Sequence, residues 1–247
     1  MTYTYQIKIE YLGTKFVGWQ FQKNGLSVQG VLEKILKKYF KEKIKIFGSG
    51  RTDSGVHAIE QSAHFKLKKK IDNKNTTIDS LNFFLNKYPI SILDIIKRGK
   101  YFHARHSAIN RTYKYFIVNR SGKLAIEKNK AWHIKKKINV NLMKKGATIL
   151  RGTHDFSTFR AASCTSKSPV KTMKIVTIKQ EKKKIIFTFV SRSFLQQQVR
   201  SMVGSLKYLG EGKWSLDYFK RVFLSKRRSM CAPPAPPHGL YLAKVEY

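Results

Sequence analysis

Most of the chemistry this chain could perform is concentrated in twelve residues. From Phe47 to Ala58 the sequence brings Gly48, Gly50 and Gly55 together with Arg51, Asp53 and His57, between two stretches of extended pattern. An Asp before Ser-Gly commonly closes an Asx-turn, so a purely structural turn is the first reading of Asp53. Three features shift the weight towards chemistry: the chain has only six Asp, this one stands two residues from Arg51, and the surrounding sequence is strongly basic. Cations around a carboxylate favour its charged form. A charged, positioned carboxylate suits nucleophilic or electrostatic work better than proton donation.

Other chemistries fit less well. Neither GxxxxGK[ST] nor GxGxxG occurs, and an extended segment rather than an amphipathic helix follows the glycines, which disfavours triphosphate or dinucleotide binding. His57 and His64 lie seven residues apart and His103 and His106 three apart, without structural-zinc spacing, so no metal is expected. Cys164 and Cys231 form no CxxC pair and no framework of bridges, the usage of a cytoplasmic protein. No stretch approaches the roughly 18 apolar residues of a membrane span, and the alternating start is unlike an export signal.

The elements that must position the loop are read from periodicity. Tyr3, Tyr5, Ile7, Ile9 and Tyr11 alternate over residues 2–11, the pattern of a half-buried strand. Ser27 can cap a helix whose apolar positions Val28, Val31, Leu32, Ile35, Leu36, Tyr39 and Phe40 fall at helical spacing. Residues 44–47 and 61–67 read as extended, 78–86 as a short helix and 90–96 as an apolar strand. A second pass begins near Asn110 with a strand, then a helix over 140–150, a hairpin of 170–178 and 185–190, and helices over 194–209 and 216–224. The Pro-rich residues 232–237 suit neither helix nor central strand, and 240–247 closes with a strand. Adjacent strand pairs with flanking helices predict an α+β fold rather than a parallel α/β sheet. Two halves are expected, 1–104 carrying the Asp53 loop and 105–247 completing the site.

Charge points to the partner. Fifty Lys and Arg against 14 Asp and Glu give a formal net charge of +36, the electrostatic footprint of a nucleic-acid-binding protein. Of the fifty, 38 are Lys, and a Lys-rich proteome would give the same excess on solvated surfaces. The twelve Arg are the sharper clue, because only a guanidinium offers a rigid fork for phosphate or carboxylate.

The segment Gly50-Arg51-Thr52-Asp53-Ser54-Gly55-Val56-His57-Ala58 resembles the signature loop of the tRNA pseudouridine synthase A family. The resemblance continues in order through Tyr11-Leu12-Gly13-Thr14, Gly18-Trp19-Gln20, Phe102-His103-Ala104-Arg105, Arg111-Thr112-Tyr113, Gly152-Thr153-His154-Asp155-Phe156-Ser157, Phe194-Leu195 with Val199-Arg200, and Gly239-Leu240-Tyr241-Leu242. It spans nearly the whole chain. It implies a pseudouridine synthase fold, two ferredoxin-like halves sharing a largely antiparallel sheet with a central basic cleft. It also implies an isomerase that converts uridine to pseudouridine at positions 38, 39 and 40 of the tRNA anticodon stem-loop, without a cofactor, as a homodimer in the cytoplasm. By this resemblance Asp53 is the nucleophile and Arg200 its charged partner. Tyr113 is the ring that stacks on the target base, and Arg51 and Arg105 engage the RNA. The rival reading of the same basic surface is a non-catalytic RNA-binding or ribosome-associated protein; a metal-dependent RNA enzyme is a second. The chain departs from the family pattern at Leu12, Phe21, Ser54, His106 and Gln196-Gln197-Gln198, none of which is the nucleophile.

Overall fold

The computed structural model describes residues 2–247, which divide into two compact units. The first takes in residues up to 109 together with 241–247, and the second spans Asn110–Leu240.

In the first unit β1 (Tyr3–Tyr11) pairs antiparallel with both β3 (His57–Leu67) and β4 (Ile90–Arg98). The short β2 (Phe47–Gly48) pairs antiparallel with β3, and β10 (Leu240–Glu246) joins β3 in parallel through Tyr241 opposite His57 and Leu242 opposite Ala58. Strand β1 is paired along both edges, and beside Tyr5, Ile7 and Ile9 on one face, Thr4 and Gln6 at the start of the other face are buried as well, while Lys8 is half-buried and Glu10 exposed. The half-buried strand expected from alternation is therefore an interior strand. The buried polar start of its second face is viable because the Gln6 amide donates to Ser62 Oγ at 2.9 Å and accepts from Arg98 Nε at 2.8 Å.

Two helices complete this unit. In α1 (Val28–Phe40) the Ser27 hydroxyl accepts from the Gly30 N–H, a cap contributing about 1 kcal/mol. Its stripe of Val28, Val31, Leu32, Ile35 and Leu36 is buried, as the helical spacing requires. Helix α2 (Lys74–Leu85) begins four residues earlier than its apolar pattern, because Asn73 caps the Thr76 N–H and sets the start. Of the expected extended stretch 44–47 only Phe47 enters a ladder.

The second unit is built on β5 (Asn110–Asn119), β9 (Lys184–Ser191), β8 (Val170–Glu181) and β7 (Gly152–Asp155), each antiparallel to its neighbour in that order. The three-residue β6 (Trp132–Ile134) runs parallel to β5. Helices α3 (Val140–Ile149), α4 (Gln198–Gly210) and α5 (Leu216–Leu224) accompany it. The expected hairpin turns at 182–183, where Lys182 takes φ 52°. Helix α4 starts at Gln198 rather than Phe194: Gln197 adopts the left-handed conformation, and the buried Gln198 side chain accepts from the Leu195 N–H at 2.8 Å. That turn ends the extended backbone before the helix can begin.

Candidate active site

The loop between β2 and β3 is fastened along its length. The Ser49 N–H donates to Ser62 O at 2.7 Å, and the Gln61 amide donates to Gly50 O at 2.8 Å. Thr52 is held twice: its carbonyl accepts from the Trp19 N–H at 3.0 Å, and its hydroxyl shares a 2.8 Å hydrogen bond with the Tyr11 hydroxyl. The Ser54 hydroxyl donates to Phe16 O at 3.2 Å, and the Asp53 carbonyl accepts from the Val56 N–H at 3.1 Å. At the far end His57 is fully buried, packs its ring 4.6 Å from that of Tyr241, and accepts the Gly13 N–H on Nδ1 at 2.8 Å. That acceptor role places the proton of a neutral His57 on Nε2. Asp53 is half-buried and Arg51 exposed on the loop so fixed.

The opening motifs exist to let backbone approach this loop. A Cβ at Gly13 would stand 1.9 Å from the Val56 carbonyl oxygen, and one at Gly18, where φ is +120°, 2.7 Å from the Thr52 carbonyl oxygen. Gly13→Ala is therefore expected to destabilise the protein by about 3 kcal/mol, because the clash is with backbone that no rotamer change relieves. Denaturant unfolding measures it. A midpoint unchanged from wild type would show that the approach of residue 13 does not hold the loop.

Arg105 lies in the same unit, exposed on a turn after β4. The turn is anchored from beneath: the Ala104 N–H donates to His64 Nδ1 at 3.2 Å, and the Tyr247 hydroxyl donates to Ala104 O at 2.9 Å. Burial, then the neighbouring His103, push His64 down to about 4, so at neutral pH this imidazole accepts without carrying charge.

The other two sequence-predicted residues belong to the second unit. Tyr113 on β5 is 8% exposed and meets Phe194 edge-on at 5.0 Å between ring centres. Arg200, in the first turns of α4, is half-buried, and its Nε donates to Ala235 O at 2.8 Å while the Ala235 N–H returns a bond to Arg200 O at 2.9 Å. The Pro-rich segment is thus a brace for this arginine. Gly204 permits its approach, since a Cβ there would sit 2.1 Å from Pro233 O. The fully buried Tyr115 secures it from the sheet by donating its hydroxyl to Pro236 O at 2.8 Å. Burial raises the Tyr115 phenol well above its ordinary range, so it remains a donor. Burial, then the Arg200 charge, lower His238.

Sequence reasoning thus named the charged residues and missed what holds them. His57 stands out by type, but its bond from Gly13 does not, and Tyr11, Tyr115 and the Ala235 backbone carry no signal of a supporting role. Among the described residues no group of three or more His, Cys, Asp or Glu is placed to hold a metal ion, both cysteines are free, and no helix is long and apolar enough to cross a membrane.

A pinned loop carrying one carboxylate, with an arginine braced on a separate helix, is compatible with several reactions, and comparison with known proteins decides among them. The family model described as tRNA pseudouridine synthase matches residues 7–105 and 147–247. The chain belongs to that family. A tRNA pseudouridine synthase A of Pelagibacter ubique is 58% identical over 245 residues, covering 99% of this chain and all of the relative. Proteins of the same name from Parvibaculum lavamentivorans and Rhodopseudomonas palustris are 42% and 44% identical over 243 residues, covering 98% of each chain. A solved Cbf5-Nop10-Gar1 complex shares 10% identity and a TM-score of 0.33 over 82% of this chain and 53% of that one, too slight a likeness to inform the site. As a tRNA pseudouridine synthase the chain is an isomerase: it converts uridine in tRNA to pseudouridine, and its α+β architecture is that of the family.

Proposed function

We propose that this isomerase acts on uridines 38, 39 and 40 of the tRNA anticodon stem-loop, with Asp53 as nucleophile, as a homodimer in the cytoplasm. The observation that carries the role of Asp53 is the fastening of its loop: bonds from Tyr11, Phe16, Trp19 and Gln61 converge on residues 50–54, and a group so held is oriented before substrate arrives.

A uridine paired or stacked in a stem must first leave its stack, at a cost of a few kcal/mol that contacts to the RNA backbone offset. Arg51 and Arg105, both exposed, supply such contacts. The face of Tyr113 stacks on the extruded base, an interaction worth roughly 1 to 3 kcal/mol. The Asp53 carboxylate adds to the nucleoside, the N1–C1′ bond breaks, and the uracil turns within a site shielded from water. C5 then bonds to C1′, the carboxylate is released, the C5 proton departs and N1 gains one. Atoms and electrons balance within the substrate, so the reaction calls for no redox partner and no group acceptor. Arg200, its guanidinium braced by the Ala235 carbonyl, is the cation that this reading assigns to the reacting carboxylate.

Two measurements test this. Transcripts whose anticodon arm bears uridine at only position 38, 39 or 40, labelled with tritium at C5, are expected to release one tritium per site in the presence of chelator, with the RNA intact. Release from uridines elsewhere and not from these would place the target wrongly. The net charge of +36 should act through phosphates. Affinity for tRNA is expected to fall at least about a hundredfold between 50 and 200 mM salt, as for a handful of phosphate contacts. A flat dependence would mean that the surplus Lys residues are only solvated.

A further inference from the structure

We propose that Phe47, His103 and His106 form a stacking platform for an unpaired base of the substrate RNA, distinct from the extruded uridine. The proposal rests on tRNA being the substrate. The observation is a ladder of rings on the first unit: Phe47 stacks on His64 at 5.1 Å between centres with 24° between planes, His64 lies 4.6 Å from His103, and His103 lies 4.4 Å from His106. Its buried rung, His64, is used up in anchoring the Ala104 turn. Its outer members are accessible: Phe47 is 48% exposed, His106 is exposed and His103 partly so.

A half-exposed phenyl ring on a two-residue strand adds little to the core, and its burial by a flat ligand is favourable. The turn bearing the two outer imidazoles is prearranged. The Ser107 hydroxyl accepts the His103 N–H at 3.1 Å, His103 Nδ1 accepts the Arg105 N–H at 3.2 Å, and the Ser107 N–H donates to His103 O at 2.8 Å. A His103 ring held in this way, with His106 packed on it, loses little freedom when a base docks. Burial, then the His106 ring and the Arg105 and Lys66 charges, lower His103, which is therefore a neutral ring with Arg105 and Lys66 at its margin. Apolar faces rimmed by positive charge suit a nucleobase with its phosphates, as in single-strand binding surfaces. Position adds to this. Strand β2 carries Phe47 directly into the loop that bears Asp53, so the base it takes is a neighbour of the target along the RNA.

A double-mutant cycle on binding tests the platform. Phe47→Ala and His106→Ala are each expected to weaken tRNA binding about tenfold, the worth of part of one stacked base. With tRNA made abasic at the partner position, the same substitutions should cost nothing further, whereas at other unpaired positions the losses should add. His106→Phe should retain wild-type affinity. Unchanged affinity for both alanine variants, additivity at every unpaired position, or affinity kept by His106→Lys and lost by His106→Phe would overturn the proposal, the last by making residue 106 a phosphate contact. Pseudouridine formation by the wild-type protein on the same RNA is scored in parallel. Its absence would count against the assigned reaction, while a flat cycle alongside active enzyme would count against the platform alone.

Discussion

Asp53→Asn is expected to abolish isomerisation while leaving tRNA bound. The substitution keeps the shape of the side chain and removes its charge, so nucleophilic attack on the nucleoside is lost. A fall of about ten-thousandfold or more in single-turnover rate is expected for a group on which the whole sequence of steps depends. The loop itself should persist. Gly50, Thr52, Ser54 and His57 each fasten it to partners that Asp53→Asn leaves in place. Tritium release from C5-labelled tRNA and filter binding with the same RNA separate the two effects. Affinity within about twofold of wild type with no release is the expected pair of results. Substantial release by the Asn variant would mean that another group makes the covalent bond, and loss of both binding and release would leave Asp53 in a structural role.

The second large effect is expected at Arg200. A lysine there keeps the charge but loses the Nε donor to Ala235 and the planar fork, and with them the fixed direction in which the charge is presented. About a hundredfold loss in single-turnover rate is expected, comparable to removing one preorganised donor from an active site. The fold should survive, because α4 is anchored by the buried Met202, Val203, Leu206 and Leu209. Thermal unfolding within a few degrees of wild type, with the rate reduced, would agree with a positioning role. A lysine variant as fast as wild type would remove Arg200 from the mechanism.

How much of this is legible in sequence depends on the range over which each interaction acts. Local signals read true: the Ser27 cap, the α1 stripe and the hairpin turn at Lys182 each depend on residues a few positions apart. Strands of three or four residues, β6 and β7, are too short for a period of two to declare itself, although the second coincides with a recognisable motif. The interior place of β1, paired along both edges, and the return of residues 241–247 to the first unit depend on pairing across the chain, which alternation within one segment cannot reveal. The site divides the same way. Asp53 and Arg51 stand out by type and spacing, whereas His57 accepting from Gly13, 44 residues away, and Tyr115 bracing Pro236, 121 away, are visible only once the chain is folded. Gly13 and Gly204 look like ordinary turn and helix glycines until the carbonyl oxygens opposite them are located.

The most direct test is position-resolved mapping of pseudouridine in a tRNA carrying uridine at 38, 39 and 40, incubated with the purified wild-type protein. Conversion confined to the anticodon arm at those three positions is the predicted result. Unmodified uridine at all three, under conditions in which the protein demonstrably binds the tRNA, would contradict the proposed target of the enzyme.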